Sequence, residues 1–410
     1  MPDREPTRRL AAILGLTFVA VLALVGCGPD ESPDTAPDPV AANAGDARDA
    51  AQELEIDAEP AHEHSDRVAK PRPLREGETR TTLTMAEPYT PSAPTGVGTD
   101  DYRCFLLDPK LERDAFLTGT HVLPGNSEVV HHVILFRVRP EQVETAKTVD
   151  ASEEGPGWTC FGGSGLDDFA NVDDAEWLGA WAPGGRESVQ RPGLGVPLAE
   201  GSQIVMQVHY NLLAGDDADV SATQLRMAAP GADITPLETM LMPAPVELPC
   251  RPDHDASPLC DRAAAVADLK QRVGDRAGST ADVLHFLCDG MPKPGNTQSC
   301  TRTLAEPMTI QGVAGHMHLL GRSITIEVNP GTDRARTVLD IPVWDFDNQG
   351  AQAIEPVRLD ANDSVRVTCR HVQWLRDKLP AFEGQDERYV VWGEGTTDEM
   401  CLGILQVTRP

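Results

Sequence analysis

The chain lacks the marks of several common functional classes. No segment repeats at a fixed period, no glycine-rich loop has phosphate-cradling spacing, and no Gly-x-Ser-x-Gly elbow offers a hydrolase nucleophile. Positive charge is scarce: 35 lysines and arginines stand against 64 aspartates and glutamates, giving a formal charge of -29. Such a surface is repelled by phosphate backbones, which argues against nucleic acid as a partner; acidity of this size serves solubility. Aromatic residues are sparse at 5%. None of the nine cysteines stands in Cys-x-x-Cys spacing, so the usual zinc-ribbon signal is missing. The apolar run from Leu10 to Val25 is too short for a comfortable membrane span.

What is present reads as an exported, all-β protein. With 410 residues the chain exceeds the usual single-domain range, so two domains are expected. Its hydrophobic content of 40% suffices for packed cores, and 34 prolines with 35 glycines break short Val/Ile/Leu/Thr runs, the pattern of antiparallel strands and loops. Arg8-Arg9 before the apolar run has the form of a signal peptide over residues 1–26. Leu24-Val25-Gly26-Cys27 resembles a bacterial lipobox, in which Cys27 becomes the lipidated mature N-terminus; an uncleaved anchor helix would export the chain equally. A periplasmic or cell-envelope lipoprotein, held to the membrane by its lipid alone, is the expectation. Setting Cys27 aside leaves an even set of cysteines in an oxidising compartment, so disulfides are expected. Residues 27–80 are rich in Ala, Pro, Asp and Glu with hardly any large apolar side chain, and read as a disordered tether. His62-Glu-His64 lies within it and is set aside, because a flexible segment holds a metal poorly. The fold is expected from Thr81, as a first domain over 81–228 and a second over 229–410 that carries an insertion at 247–300.

The chemistry concentrates in histidines. In Gly312-Val-Ala-Gly-His316-Met-His318-Leu-Leu-Gly321 the two imidazoles are two residues apart, and on a strand they project from one face toward one point. Upstream, Ser127-Glu-Val-Val-His131-His132-Val-Ile-Leu-Phe136 places two histidines side by side. Adjacent strand residues face opposite ways, so this pair can serve one ion only if the strand is bulged or begins there. Gln203 to Asn211 alternates clearly, with His209 on the face of Val205 and Gln207. Trp177 and Trp181 read as core. Cys250, Cys260, Cys288 and Cys300 favour two disulfides over a zinc site, with three connectivities open, and Asp261 to Val273 between them has helical character. Met400 opens a strand directly after acidic, polar loop residues, where core filler is unexpected.

In order, His131-His132, His209, His316-x-His318 and Met400-Cys401 resemble the copper type II, ascorbate-dependent monooxygenases, the family of peptidylglycine α-hydroxylating monooxygenase and dopamine β-monooxygenase. The resemblance runs from about Thr81 to the C-terminus: His-His-Val-Ile-Leu-Phe looks like the paired-His motif, Gln-Val-His-Tyr the third-ligand strand, Gly-His-Met-His-Leu-Leu-Gly-Arg the His-x-His motif and Asp-Glu-Met-Cys the methionine ligand. It implies two antiparallel β-sandwich (jelly-roll-like) domains facing across a solvated cleft and two copper ions per chain. His131, His132 and His209 would hold an electron-donating copper; His316, His318 and Met400 would hold the catalytic copper. Disulfides Cys104 with Cys160 and Cys369 with Cys401 are implied as well. The implied reaction hydroxylates an aliphatic C–H bond with O2 and two electrons from an external donor, ascorbate in the family. A thioether ligand suits Cu(I) and is seldom recruited by zinc.

The sequence departs from the peptide-hydroxylating branch where that branch anchors its substrate's carboxylate. Ala314, Leu402 and Ile404 stand at the places of an Arg, an Asn and a Tyr, which disfavours a glycine-extended peptide and favours a small or apolar substrate. Cys300 lacks its family partner and is expected to pair within the Cys250, Cys260, Cys288 group. His121, His254, His285 and His371 receive no ligand role, with His121 considered as an accessory to the ligands. Two other readings compete: a periplasmic copper-binding or electron-transfer protein without hydroxylase activity, and a zinc hydrolase using His316 and His318, for which Met317 and Leu319 offer no base.

Overall fold

The computed structural model describes residues 70–94, 99–161, 163–166, 175–183, 185–288, 290–346 and 348–410. The expected signal peptide, Cys27, His62, His64 and most of the tether lie outside the described residues.

The first half is built from β1 (Thr79–Thr84), β2 (Asp100–Leu107), β3 (Ala115–Leu123), β4 (Val130–Val138), β5 (Trp177–Trp181), β6 (Leu194–Leu198), β7 (Gln203–Asn211) and β8 (Ala222–Met227), with helix α1 (Val143–Asp150) after β4. One sheet runs β1-β8-β3-β6; the other runs β2-β7-β4-β5, and the two-residue strand Trp158–Thr159 extends it beyond β2. Strand β7 is central and buried on both faces: Ile204, Met206 and Val208 enter the core between the sheets, while Val205 joins a second cluster with Cys104, Phe136, Val138 and Trp158. The predicted alternation of β7 therefore holds, and both of its faces are covered. The fold begins earlier than expected. Glu78 accepts from Arg226 at the core edge and Arg80 pairs with Glu187, so the residues just before Thr81 are tied to the first sandwich.

The second half repeats the plan. Strands β9 (Glu238–Pro243), β10 (Thr297–Thr303), β11 (Met308–His316), β12 (Gly321–Val328), β13 (Arg336–Ile341), β14 (Gln352–Leu359), β15 (Ser364–His371) and β16 (Leu402–Thr408) form two antiparallel sheets, β9-β16-β11-β14 and β10-β15-β12-β13. Ile310, Val313, Leu405 and Val407 from one sheet and Ile324, Ile326, Val365 and Val367 from the other make their shared core. The sheets approach closely beside His316: Gly315 stands opposite Gly403, and a Cβ on Gly315 would meet Ile324 at 2.9 Å. The insertion holds α2 (Arg262–Val273), N-capped by the Asp261 side chain on the Ala264 amide, and α3 (Thr280–Leu287). The all-β class with a small helical insertion is thus present.

Four disulfides staple the strands: Cys104–Cys160, Cys250–Cys260, Cys288–Cys300 and Cys369–Cys401. The two pairs implied by resemblance are formed, and the insertion takes one of its three open connectivities, giving Cys300 the partner Cys288. Cys369–Cys401 closes a separation of 32 residues, for which loop-closure entropy suggests about 3–4 kcal/mol. It ties the residues just before β16, Met400 among them, to the end of β15.

Candidate metal centre

Strand register assembles the first set of imidazoles. His132 lies opposite His209, and His209 opposite Tyr102, so three adjacent strands carry the row. Between Val130 and His132 the pairing of β4 with β7 slips by one residue. His131 occupies that bulge, which turns it to the same side as His132, as the doubled histidine requires for joint use. The Nδ1 atoms converge: His131 to His132 is 3.3 Å and His209 to His132 is 3.2 Å. All three ligand atoms lie within 4.8 Å of one another. Two nitrogens bound to one ion at about 2.0–2.1 Å, across tetrahedral to trigonal angles, stand roughly 3.3–3.6 Å apart, so the donor set fits a single ion.

The remaining ring nitrogen of His209 settles its tautomer. Nε2 is 2.8 Å from Oδ1 of Asp100, which also accepts from the Thr396 hydroxyl at 2.6 Å and its amide at 3.2 Å. Burial opposes ionisation of Asp100, yet the bonds from His209 and Thr396 hold its carboxyl below the ordinary range. A carboxylate can only accept, so Nε2 of His209 carries the proton and Nδ1 presents its lone pair. Tyr102 stacks on the same ring at 4.1 Å between centroids, and its hydroxyl donates to the Glu394 carbonyl at 2.6 Å.

The second set has the opposite tautomers. Nδ1 of His316 is 2.6 Å from Oε1 of Gln349, and that amide is oriented by its own NH2 donating to the Phe346 carbonyl at 2.8 Å. Nδ1 of His318 is 3.2 Å from the Asp398 carbonyl. Both partners accept, so both rings leave Nε2 as donor atoms for a metal. Met400 is buried, and continuing the β11–β16 pairing of His316 with Leu402 sets Met400 across from His318. Glu399 joins them: one of its oxygens accepts from the His318 amide at 3.0 Å and the Met400 amide at 3.2 Å, and the other accepts from the Leu320 amide. His371 completes this clasp, its Nε2 lying 3.0 Å from the Met400 carbonyl and 3.3 Å from Glu399. Burial raises the Glu399 pKa, but the His371 bond and charge bring it below the usual value.

The electrostatics favour metal-ready imidazoles. Burial, with repulsion from neighbouring rings, pushes His131 and His132 well below the ordinary histidine value, lowers His318, and takes His316 to about 3. Neutral rings keep the lone pairs that a metal needs. Asp398, against the cost of burial, is held ionised by Arg272 at 2.7 and 3.0 Å and Arg388 at 3.0 Å, whereas Asp100 and Glu399 are bound by imidazole, hydroxyl and amide donors.

The two sets lie close together: the rings of His132 and His316 stand 6.1 Å apart between centroids, and Phe346 stacks on His131 at 4.7 Å and meets His318 at 6.4 Å. The five imidazoles form one continuous cluster at the junction of the two sandwiches. Of the other histidines, His121 sits in the opposite sheet beside Gln224, His285 bonds to buried Glu247 at 2.6 Å and His254 lies near Arg251; His371 acts through Glu399. Sequence reasoning missed Asp100, Gln349, Thr396 and Glu399. For Glu399 a signal existed in its position between an aspartate and a candidate ligand; for Asp100 there was none.

No protein-family model and no curated protein matches the chain. Among solved structures, allantoicase is 13% identical with 72% of this chain and 78% of that chain covered at a TM-score of 0.17. The infectious bursal disease virus VP2 subviral particle is 8% identical, covering 83% and 75%, at 0.18. The coconut allergen cocosin is 10% identical, covering 80% and 85%, at 0.15. Scores of this size carry no argument about fold or function.

Proposed function

We propose that the chain is an exported copper monooxygenase with two copper sites of different kinds. The observation that carries this reading is the cluster of five imidazoles: three Nδ1 atoms converging within 3.3 Å steps, beside the His316 and His318 rings, whose centroids are 5.1 Å apart. His131, His132 and His209 would hold one ion and His316, His318 and Met400 the other. Copper held there would supply one-electron transfer at the first set and oxygen activation at the second. The protein's own part is to keep His131, His132, His316 and His318 neutral, select tautomers through Asp100, Gln349 and the Asp398 carbonyl, and hold Met400 beside His318 through Glu399. Contact between the sets shortens the path an electron travels.

The substrate favoured is small and apolar. Ala314 is paired with Ile404 and His316 with Leu402, so the sheet beside His316 is lined by aliphatic side chains. Zinc hydrolysis is disfavoured because Glu399, the carboxylate next to the His-x-His, is fully buried and engaged by three backbone amides and His371, which suits a structural clasp better than a base for water. The binding-protein alternative is disfavoured by the tautomer difference, since a metal store has no use for two chemically distinct sites.

The test is copper stoichiometry on the full chain, with X-ray absorption of the reduced form. Two coppers per chain with a sulfur neighbour on one support the reading and justify a search for substrate by oxygen consumption. One copper, or preferential zinc loading, overturns it.

A further inference from the structure

Away from the histidines, the cysteine insertion presents apolar side chains to solvent. Eight large apolar residues are exposed among the described residues, and four of them fall between positions 283 and 291. Val283, Phe286 and Leu287 on α3 are 51%, 85% and 57% exposed, and Met291, in the loop that follows, is 73% exposed. Their i, i+3, i+4 spacing puts the three helical residues on one face. The opposite face is already occupied: Ala281 and Leu284 enter the core of the second sandwich, and His285 bonds to Glu247 at 2.6 Å. Cys288–Cys300 ties the loop that carries Met291 to β10, so the exposed side chains stand on a fixed support. Asp282, the only acid in α3, is paired with Arg262 at 3.0 Å. A helix apolar on both faces belongs in a core or against lipid, and only one face of α3 has a core.

We infer that this face docks on a lipid bilayer, with Phe286, Leu287 and Met291 entering the interface as a second, non-covalent contact beside the lipid on Cys27. The choice of occupant rests on the lipoprotein expectation. Residues 28–69 separate Cys27 from the first described residue, and a chain lipidated at Cys27 presents its fold to a bilayer at high local concentration, where weak apolar contacts suffice. The patch amounts to a few hundred Å², short of the roughly 800 Å² per partner that a stable interface between copies buries. A ring as prominent as Phe286 needs no matching socket in a fluid interface, and Phe with Leu forms the usual apolar face of helices that lie there. The formal charge of -29 gives no attraction to anionic headgroups, so apolar insertion carries the contact. This inference is independent of the copper reading.

The test is co-sedimentation of the full chain carrying Cys27→Ser with vesicles of phosphatidylethanolamine and phosphatidylglycerol. Without its lipid, this chain reports the α3 face alone. It is expected to sediment with the vesicles, and to do so undiminished at high salt, as an apolar contact requires. Adding Phe286→Ser is expected to weaken partition about tenfold, with Tm unchanged because the ring supports no core. Equal sedimentation with and without Phe286→Ser, or none in the Cys27→Ser parent, overturns the inference. A dimer in sedimentation equilibrium that Phe286→Ser dissociates assigns the face to a second copy and overturns it as well. The mass of the native chain is read separately: an unmodified Cys27 removes the lipoprotein expectation, while the vesicle result still decides whether the face binds lipid.

Discussion

Replacing Asp100 by Asn tests whether the three-histidine set is tuned from behind. Asp100 takes the Nε2 proton of His209 at 2.8 Å and reaches across to Thr396, in the loop that leads to Met400. Asparagine is nearly isosteric, but its amide can satisfy His209 either by accepting, as the carboxylate does, or by donating its NH2. In the second arrangement His209 must accept at Nε2, and its proton moves to Nδ1, where the lone pair is needed. Even in the first, the loss of negative charge makes the imidazole a weaker base. Outer partners of this kind typically change metal affinity 10–100-fold, so the Asp100→Asn ion should bind about 1.4–2.7 kcal/mol more weakly. Competition for Cu(I) against a chromophoric chelator measures this directly. The loss should be confined to one of two ions, with the sulfur neighbour of the other unchanged in the X-ray absorption of the reduced protein. Unchanged affinity for both ions in Asp100→Asn would refute the tautomer argument.

Met400→Ile conserves volume, so the fold should lose less than about 1.5 kcal/mol; oxygen consumption should fall to background and the copper–sulfur signal should vanish while the three-histidine ion stays bound, and retained turnover would remove Met400 from the site. Glu399→Gln leaves one acceptor oxygen where three amides and His371 now converge, which should cost about 3 kcal/mol in denaturant unfolding and lengthen or abolish the copper–sulfur contact; a change in stability alone, with the sulfur signal intact, would reduce Glu399 to scaffolding. Glu394 is buried, and burial with the charge of Asp398 pushes its carboxyl up to about 8. Between an unfolded value of about 4.3 and that folded value the native chain holds a proton the unfolded chain has released, so stability should fall as pH rises through this window, by about 4 kcal/mol. Glu394→Gln should flatten that slope, and melting curves at pH 5 and pH 8 that shift equally in parent and variant would show that Glu394 is ionised in the fold.

The sequence showed some of this centre and hid the rest for identifiable physical reasons. A two-residue period places His316 and His318 on one face, and an adjacent pair that shares one ion requires a strand that is bulged or begins there, of which the structure takes the bulge, at His131. Those are local consequences of strand geometry. The loop Glu394 to Glu399 was not legible, because its acids read as solvent-facing turn residues. In the fold Asp398 and Glu399 are buried, since Arg272 from α2, Arg388, His371 and three backbone amides supply the partners that water would otherwise provide. The separation of the two ligand sets was equally hidden. It depends on how one sandwich seats on the other, and the contacts that set it join residues nearly three hundred positions apart: Tyr102 to the Glu394 carbonyl and Asp100 to Thr396. Those same contacts run from His209 through Asp100 and Thr396 into the loop that ends at Met400. A displacement of either sandwich would therefore disturb the tautomer of one ligand set and the methionine of the other together, whereas a substitution at Asp100 or Met400 that leaves the seating intact should reach one set alone.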